Sequence, residues 1–414
     1  MLTITALFCN FHIDYNSRAY YRLSRYQGTS VKKLSITILA ATVLFTASCS
    51  YKSENISRKE YNPYWSDLAA FLAGMPVREG SIFAKAALTN DYELHRSWMN
   101  KYWDRVQKEN IDIIVPWRNA NIPASIERNT AFYPLSGADF VNLYTFFPKA
   151  ERYIMVSLEK QGPIPDPMKL SPRELKQGLV SVRNAIWTIA SLNYFVTHIM
   201  RSQMNNRYME GTLPALLIFS SRMGLKVVNV ENVTIDAAGT LLTSNNLPGT
   251  RGDGPGVNGI RIQFLASGDT IPRDLVYLSM KMCPETGEGG GGADAFLKKL
   301  SGINTFMKSA IYLLHEPDFR RTCEFIIGRS SAVLQDDTGM PYCYFSRAQW
   351  DIHLYGFYTK GFRLKGIPNP PHQADLATDY LAGSRPLPFN FGYGIMRKDK
   401  KSNLMLIVKK NPAS

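Results

Sequence analysis

Asp336 and Asp337 stand side by side, and Tyr342, Tyr344, Trp350, Asp351 and His353 follow shortly after. Paired carboxylates can move protons or hold calcium. The aromatic rings would suit the face of a sugar. Asp336, Asp337, Asp351 and His353 are therefore the candidate catalytic residues. A glycosidase needs its carboxyl groups about 5–9 Å apart across a cleft. Neighbouring side chains on a turn usually point apart. Asp336-Asp337-Thr338-Gly339-Met340-Pro341 is equally a good turn sequence, with Gly339 able to supply a positive φ. Both readings stay open.

A second set is Ser136, Gly137, Asp139 and Glu159, the candidate ligand-binding residues. Residues 131–135 read as a strand, 136–139 as a turn, 140–147 as a helix closed by Pro148, and 152–158 as a buried strand. That order predicts a βαβ unit. A glycine turn at a helix start aims backbone N–H groups at any anion placed there. Glu159 ends the next strand, where an acidic residue holds the ribose in Rossmann-like domains. These residues weakly resemble class I methyltransferases. The resemblance implies a Rossmann-like fold and S-adenosylmethionine at this turn. Gly137 is the one glycine present of the fuller pattern, which puts the cofactor in doubt, and no cofactor is assigned. Asp139 or Ser136 as a plain helix cap accounts for the same residues.

Other chemistry finds little support. His95, His198, His315, His353 and His372 include no His-x-x-x-His pair, and no metal site is expected. His315, in Leu314-His315-Glu316, reads as a partly protonated cap at a helix end. Gly-Glu-Gly-Gly-Gly-Gly at 287–292 lacks the Gly-Lys-Ser/Thr ending of a phosphate loop, so it and residues 249–259 read as flexible loops. No Gly-x-Ser-x-Gly is present. Cys283, Cys323 and Cys343 are too sparse for a disulfide framework and read as isolated buried thiols.

The N-terminal segment carries a different signal. Lys32 and Lys33 precede an uncharged apolar run from Leu34 to Ala47, then Ser48 and Cys49. This is the layout of a signal peptide. The run makes about 21 Å of helix, short of the roughly 30 Å hydrocarbon core. Thr46-Ala47-Ser48-Cys49 resembles a bacterial lipobox, with Thr46 where leucine is usual. The resemblance implies acylation of Cys49 and anchoring in a bilayer by several chains. Residues 1–30 do not fit the scheme. Val31, read from a GTG codon, is expected as the true start, with 1–30 untranslated.

The formal charge is +14. Residues 1–48 hold five cations and one anion, which leaves the body at about +10. The Lys and Arg residues are dispersed, so nucleic-acid binding is not expected, and a basic surface is the plainer reading. With 45% hydrophobic and 20% charged residues the chain is globular.

These side chains need elements to hold them. Residues 50–63 read as a polar tether and 64–414 as a single α/β body. Helices are expected near 65–74 and over 91–107, the second with Leu94, Trp98, Tyr102 and Val106 on its inner face. A long helix runs from Pro172 to about Asn206, opened by a Ser171/Glu174 capping box and buried in the protein core. Residues 213–223 form another helix, ended by Gly224. Residues 227–236 and 240–243 form a hairpin, 260–264 a half-buried strand and 275–280 a further strand. Residues 293–300, 305–314, 319–327 and 375–381 read as helices. Residues 332–335, 342–345 and 351–358 read as strands, and 391–396 with 404–409 as a C-terminal hairpin. The fold class is α/β, a mixed β-sheet with flanking helices, Rossmann-like, with a C-terminal β-hairpin.

Four segments, at 132–140, 145–148, 334–339 and 391–394, together resemble a group of bacterial lipoproteins. The resemblance covers most of residues 49–414 and implies no activity. The leading expectation is a non-enzymatic protein of the cell envelope, facing the periplasm or the exterior, that binds a ligand or partner. The alternatives are an extracytoplasmic hydrolase and a methyltransferase-like fold without its cofactor.

Overall fold

Residues 62–192, 209–244, 257–282, 290–359, 371–394 and 401–410 are described by a computed structural model. The expected signal peptide, Cys49 and nearly all of the tether lie outside the described residues. So do the far part of the long helix after Leu192, Cys283, and most of the residues expected in the two glycine-rich loops.

The strands are β1 (Ala131–Pro134), β2 (Arg152–Ser157), β3 (Lys226–Ile235), β4 (Leu241–Thr243), β5 (Val257–Leu265), β6 (Arg273–Ser279), β7 (Ile303–Met307), β8 (Ser330–Gln335), β9 (Trp350–Gly356) and β10 (Asn403–Lys409). They form one mixed sheet in the order β4-β3-β5-β6-β2-β1-β7-β8-β10-β9. The central five, β6-β2-β1-β7-β8, are parallel. Strands of that kind are covered on both faces and read as continuous apolar runs. β2 obeys this, since Tyr153, Ile154, Met155 and Val156 are all fully buried. The expected βαβ unit is present: β1 and β2 are parallel and the helix Phe140–Phe146 lies between them. The chain lays β2 on one side of β1 and β7 on the other, so the strand order turns between β1 and β7.

Antiparallel strands extend both flanks. On one side β3 pairs with β4 and β5, and β5 with β6. Arg261 on β5 reaches Glu231 at 3.2 Å and Asp274 at 2.9 Å, a charge ladder on the half-buried face. On the other side β10 is antiparallel to both β8 and β9. The C-terminal antiparallel pair is therefore β9 with β10. Residues 391–394 turn instead of forming its first strand.

Local signals explain most helices. Ser171 and Glu174 make the expected capping box: Ser171 N–H donates to Glu174 Oε2 at 2.9 Å, and Glu174 N–H to Ser171 Oγ at 3.4 Å. Helix Asn90–Val106 is placed as expected, but its inner face is different. Tyr92, His95, Met99 and Val106 are buried, while Leu94 and Trp98 are 49% and 41% exposed. A strict four-residue row slips about 40° per step on a helix of 3.6 residues per turn. The mixed three-and-four spacing from Tyr92 to Met99 stays on one side. Among the described residues no helix is long and apolar enough to cross a membrane.

Three other expectations change. Residues 305–314 are not a helix; their first part completes β7, every residue of which is buried. Tyr342–Tyr344 is a single 3-10 turn instead of a strand. The glycine run enters helix Gly290–Lys298, and Gly259 belongs to β5, so neither expected loop is loop throughout.

Candidate functional site

The carboxyl ends of β1, β7 and β8 converge at the point where the strand order turns. Asp139 caps helix Phe140–Phe146: its Oδ1 accepts from Asn142 N at 3.3 Å and Asn142 Nδ2 at 2.7 Å. Its Oδ2 lies 2.8 Å from Lys308 Nζ, the residue just past β7. Both side chains are almost fully buried, at 2% and 1% exposure. Tyr133 on β1 bridges the two strands, donating to Lys308 O at 3.3 Å with Asp139 Oδ2 at 3.5 Å. The carboxylate of Asp139 thus occupies the place at the helix start where an outside anion was expected.

Burial lowers the affinity of the Lys308 amine for its proton, although Asp139 and Asp336 oppose this. Burial also pushes the Tyr133 phenol well above its usual range, helped by Asp139 and Asp336. Four non-glycine residues among those described have positive φ: Leu135 at 59°, Ser309 at 60°, Ile311 at 53° and Tyr312 at 58°. All four follow β1 or β7. Left-handed backbone costs about 1–3 kcal/mol at each such residue, and such strain clusters at ligand sites and switch regions.

Asp336 and Asp337 follow β8 and are both buried. Asp336 Oδ2 accepts from Ser309 N at 3.2 Å, and Oδ1 from the backbone and hydroxyl of Thr338. Asp337 takes the Tyr312 hydroxyl at 2.7 Å and Asn403 Nδ2 at 2.8 Å, and its own N–H donates to Asn403 Oδ1 at 2.8 Å. The two carboxylates therefore turn to different partners, Asp336 to Ser309 and Thr338 and Asp337 to Tyr312 and to Asn403 of β10. His315 sits beside them. Burial pushes its pKa down to about 4, against the pull of Asp337, so it is a neutral ring in a 3-10 turn and not a charged helix cap.

Asp351 and His353 do not join this cluster. Through β10, Asp351 is level with Ala332, four residues before Asp336. That is about 13 Å back along the sheet. Asp351 is exposed, 3.6 Å from Lys410. His353 lines a separate open pocket of about 240 Å³ with Arg347, Asp379 and Arg385. Burial and the Arg385 charge lower its pKa. The proposed quartet is thus two unrelated pairs.

Of the second set, Ser136 is spent on structure: its hydroxyl donates to Val156 O at 3.2 Å and Gly137 O at 3.0 Å. Gly137 has φ of 54°, which the turn needs. Glu159 lies past the end of β2, as expected, but is buried; it accepts from Ser157 Oγ, and its backbone carbonyl accepts from Tyr277 at 2.7 Å. Cys49 lies outside the described residues. Cys323 is buried as expected, and burial raises its thiol pKa to about 12. Cys343 is exposed, which corrects the expectation of a buried thiol.

Sequence reasoning missed Lys308, Tyr312, Asn403 and Tyr393, whose hydroxyl donates to Ser309 O at 2.9 Å. A lysine directly after Phe306-Met307 was the available signal for Lys308, hidden by reading residues 305–314 as helix. Among the described residues no group of three or more His, Cys, Asp or Glu could hold a metal ion. No protein-family model matches the chain, and no curated protein matches it.

Proposed function

We propose that this chain is a lipid-anchored lipoprotein of the cell envelope whose body binds an envelope ligand or protein without catalysing a reaction. The reading joins two lines. The first is the leader and Cys49, whose pattern supports acylation and bilayer anchoring. The second is the body. Its parallel core, with the order turning between β1 and β7 and an antiparallel β10 beyond β8, supports a Rossmann-like scaffold of the methyltransferase type.

In open α/β sheets of this kind, ligands sit outside the carboxyl ends of the strands, where the order turns. The observation that carries the reading is what stands there instead: the buried Lys308–Asp139 pair. The chain's own cation and anion neutralise each other at the place a nucleotide or S-adenosylmethionine would need. A hydrolase reading is weaker, because Asp336 and Asp337 spend their carboxylates on Ser309, Thr338, Tyr312 and Asn403.

Calorimetric titration with S-adenosylmethionine tests the body, and no heat of binding is the expected result. Saturable heat would overturn the non-catalytic reading in favour of a methyltransferase. Labelling with radioactive palmitate tests the anchor. Label is expected in the full chain and lost in Cys49→Ser; an unlabelled full chain would overturn the lipoprotein assignment.

A further inference from the structure

Lys308 and Asp139 meet under unusual conditions. An ammonium carries three donors. Yet no aligned hydrogen bond to Lys308 Nζ is present among the described residues, and Asp139 Oδ2 at 2.8 Å is its ion contact. An ammonium with so few partners is costly to bury. The surroundings are largely aromatic: Tyr133 packs on Phe306 with ring centres 4.7 Å apart, and Phe306 on Phe391 at 5.9 Å. A third acid, Asp336, accepts from the backbone N–H of Ser309, the residue after Lys308, at 3.2 Å. The left-handed backbone at Leu135 and Ser309 fixes the two loops that present the pair, and Asn142 holds Asp139 Oδ1 in place.

We propose that the Lys308 amine and the Asp139 carboxyl condense to an intramolecular amide. The ammonium first returns a proton to the Asp139 carboxylate across their contact, giving a neutral amine and a carboxylic acid. Burial favours this neutral form of the lysine. The Nζ lone pair then attacks Asp139 Cγ, and a C–N bond forms. A proton passes from nitrogen to the departing oxygen. The Cγ–Oδ2 bond breaks and Oδ2 leaves as water, carrying the carboxylic proton and the one from nitrogen. Oδ1 remains as the amide oxygen. Nothing is oxidised or reduced, and no co-reactant is consumed. The product has no charge and one N–H donor in place of three, which suits the dry site better than the ion pair. It ties the loop after β1 to the end of β7 and closes the crevice between them covalently.

The test is a tryptic peptide map of the purified full chain by mass spectrometry. Trypsin does not cut after an acylated lysine. The expected product is therefore residues 129–149 branched onto residues 300–320, lighter by one water than the two unlinked peptides. Separate, unmodified peptides 129–149 and 300–308 in the parent protein would overturn the proposal without any variant. Loss of water within a linear 129–149 peptide, meaning a cyclised Asp139, would overturn it too.

Discussion

A methyl group on Gly392 would stand 1.7 Å from Asp336 Oδ2, so the backbone of the one and the carboxylate of the other share a space that admits no side chain. Gly392 also has φ of 58°, which side-chain-bearing residues rarely adopt.

Gly392→Ala is therefore expected to destabilise the fold by roughly 2–5 kcal/mol, strain and overlap together. Adding Asp336→Ala removes the overlapping atoms and leaves the backbone strain. The double variant should then lose less than the two single losses added. Urea midpoints for the four proteins check this, and strict additivity would contradict the contact.

Removing the amine that faces Asp139 should be severe. Lys308→Met leaves Asp139 as a buried charge opposite no cation, at a cost of about 3–5 kcal/mol. Lys308→Met with Asp139→Asn should recover much of it, since a neutral pair needs no counter-ion. Chemical denaturation measures both, and a double variant no more stable than Lys308→Met would count against pairing as the source of the loss.

Acid should weaken the fold through two histidines. Burial lowers both His95 and His315 to about 4, whereas an unfolded histidine titrates near 6.5. Between those values the unfolded chain binds protons that the folded chain does not. Their stabilising contribution is thus whole above about pH 6.5 and falls as pH drops toward 4. Each group accounts for up to roughly 3 kcal/mol over that window. Urea midpoints should decline from pH 6.5 to 4, less steeply in His95→Gln with His315→Gln. Ring resonances of either histidine titrating near pH 6.5 in the folded protein would sink the assignment.

The thiols should differ sharply in reactivity. Cys343 is exposed, and Cys323 is buried with its thiol pushed up to about 12. Iodoacetamide at pH 8 is expected to label Cys343 in the native protein and Cys323 only after denaturant is added. Native labelling of Cys323 would contradict its burial.

Much of this arrangement is legible before folding. The apolar run of β2, the proline after helix Phe140–Phe146 and the cap at Asp139 are local signals, and each element formed where they pointed. The capping box at Ser171 is equally local. β7 was not legible, because the polar Asn304 and Thr305 inside Ile303–Met307 break both the apolar run and the alternation that mark a strand. Misplacing it hid Lys308, whose partner Asp139 is far away in sequence. Asp336 and Asp337 could be picked out by type. Their separation from Asp351 could not, because it depends on β10 lying between β8 and β9. The inner face of helix Asn90–Val106 was mistaken for a geometric reason, the drift of a four-residue row around the axis.

The position of β10 also bears on when the fold can close. β9 makes its sheet pairing with β10, and β10 spans residues 403–409, well after β9 ends at Gly356. During synthesis β9 therefore emerges from the ribosome well before its neighbour exists. A message truncated shortly before codon 403 would yield a product with β8 and β9 both bare on their facing sides. Residues 403–409 must be delivered before that flank can zip shut, and until then its hydrogen-bonding edges are open to chaperones or to aggregation.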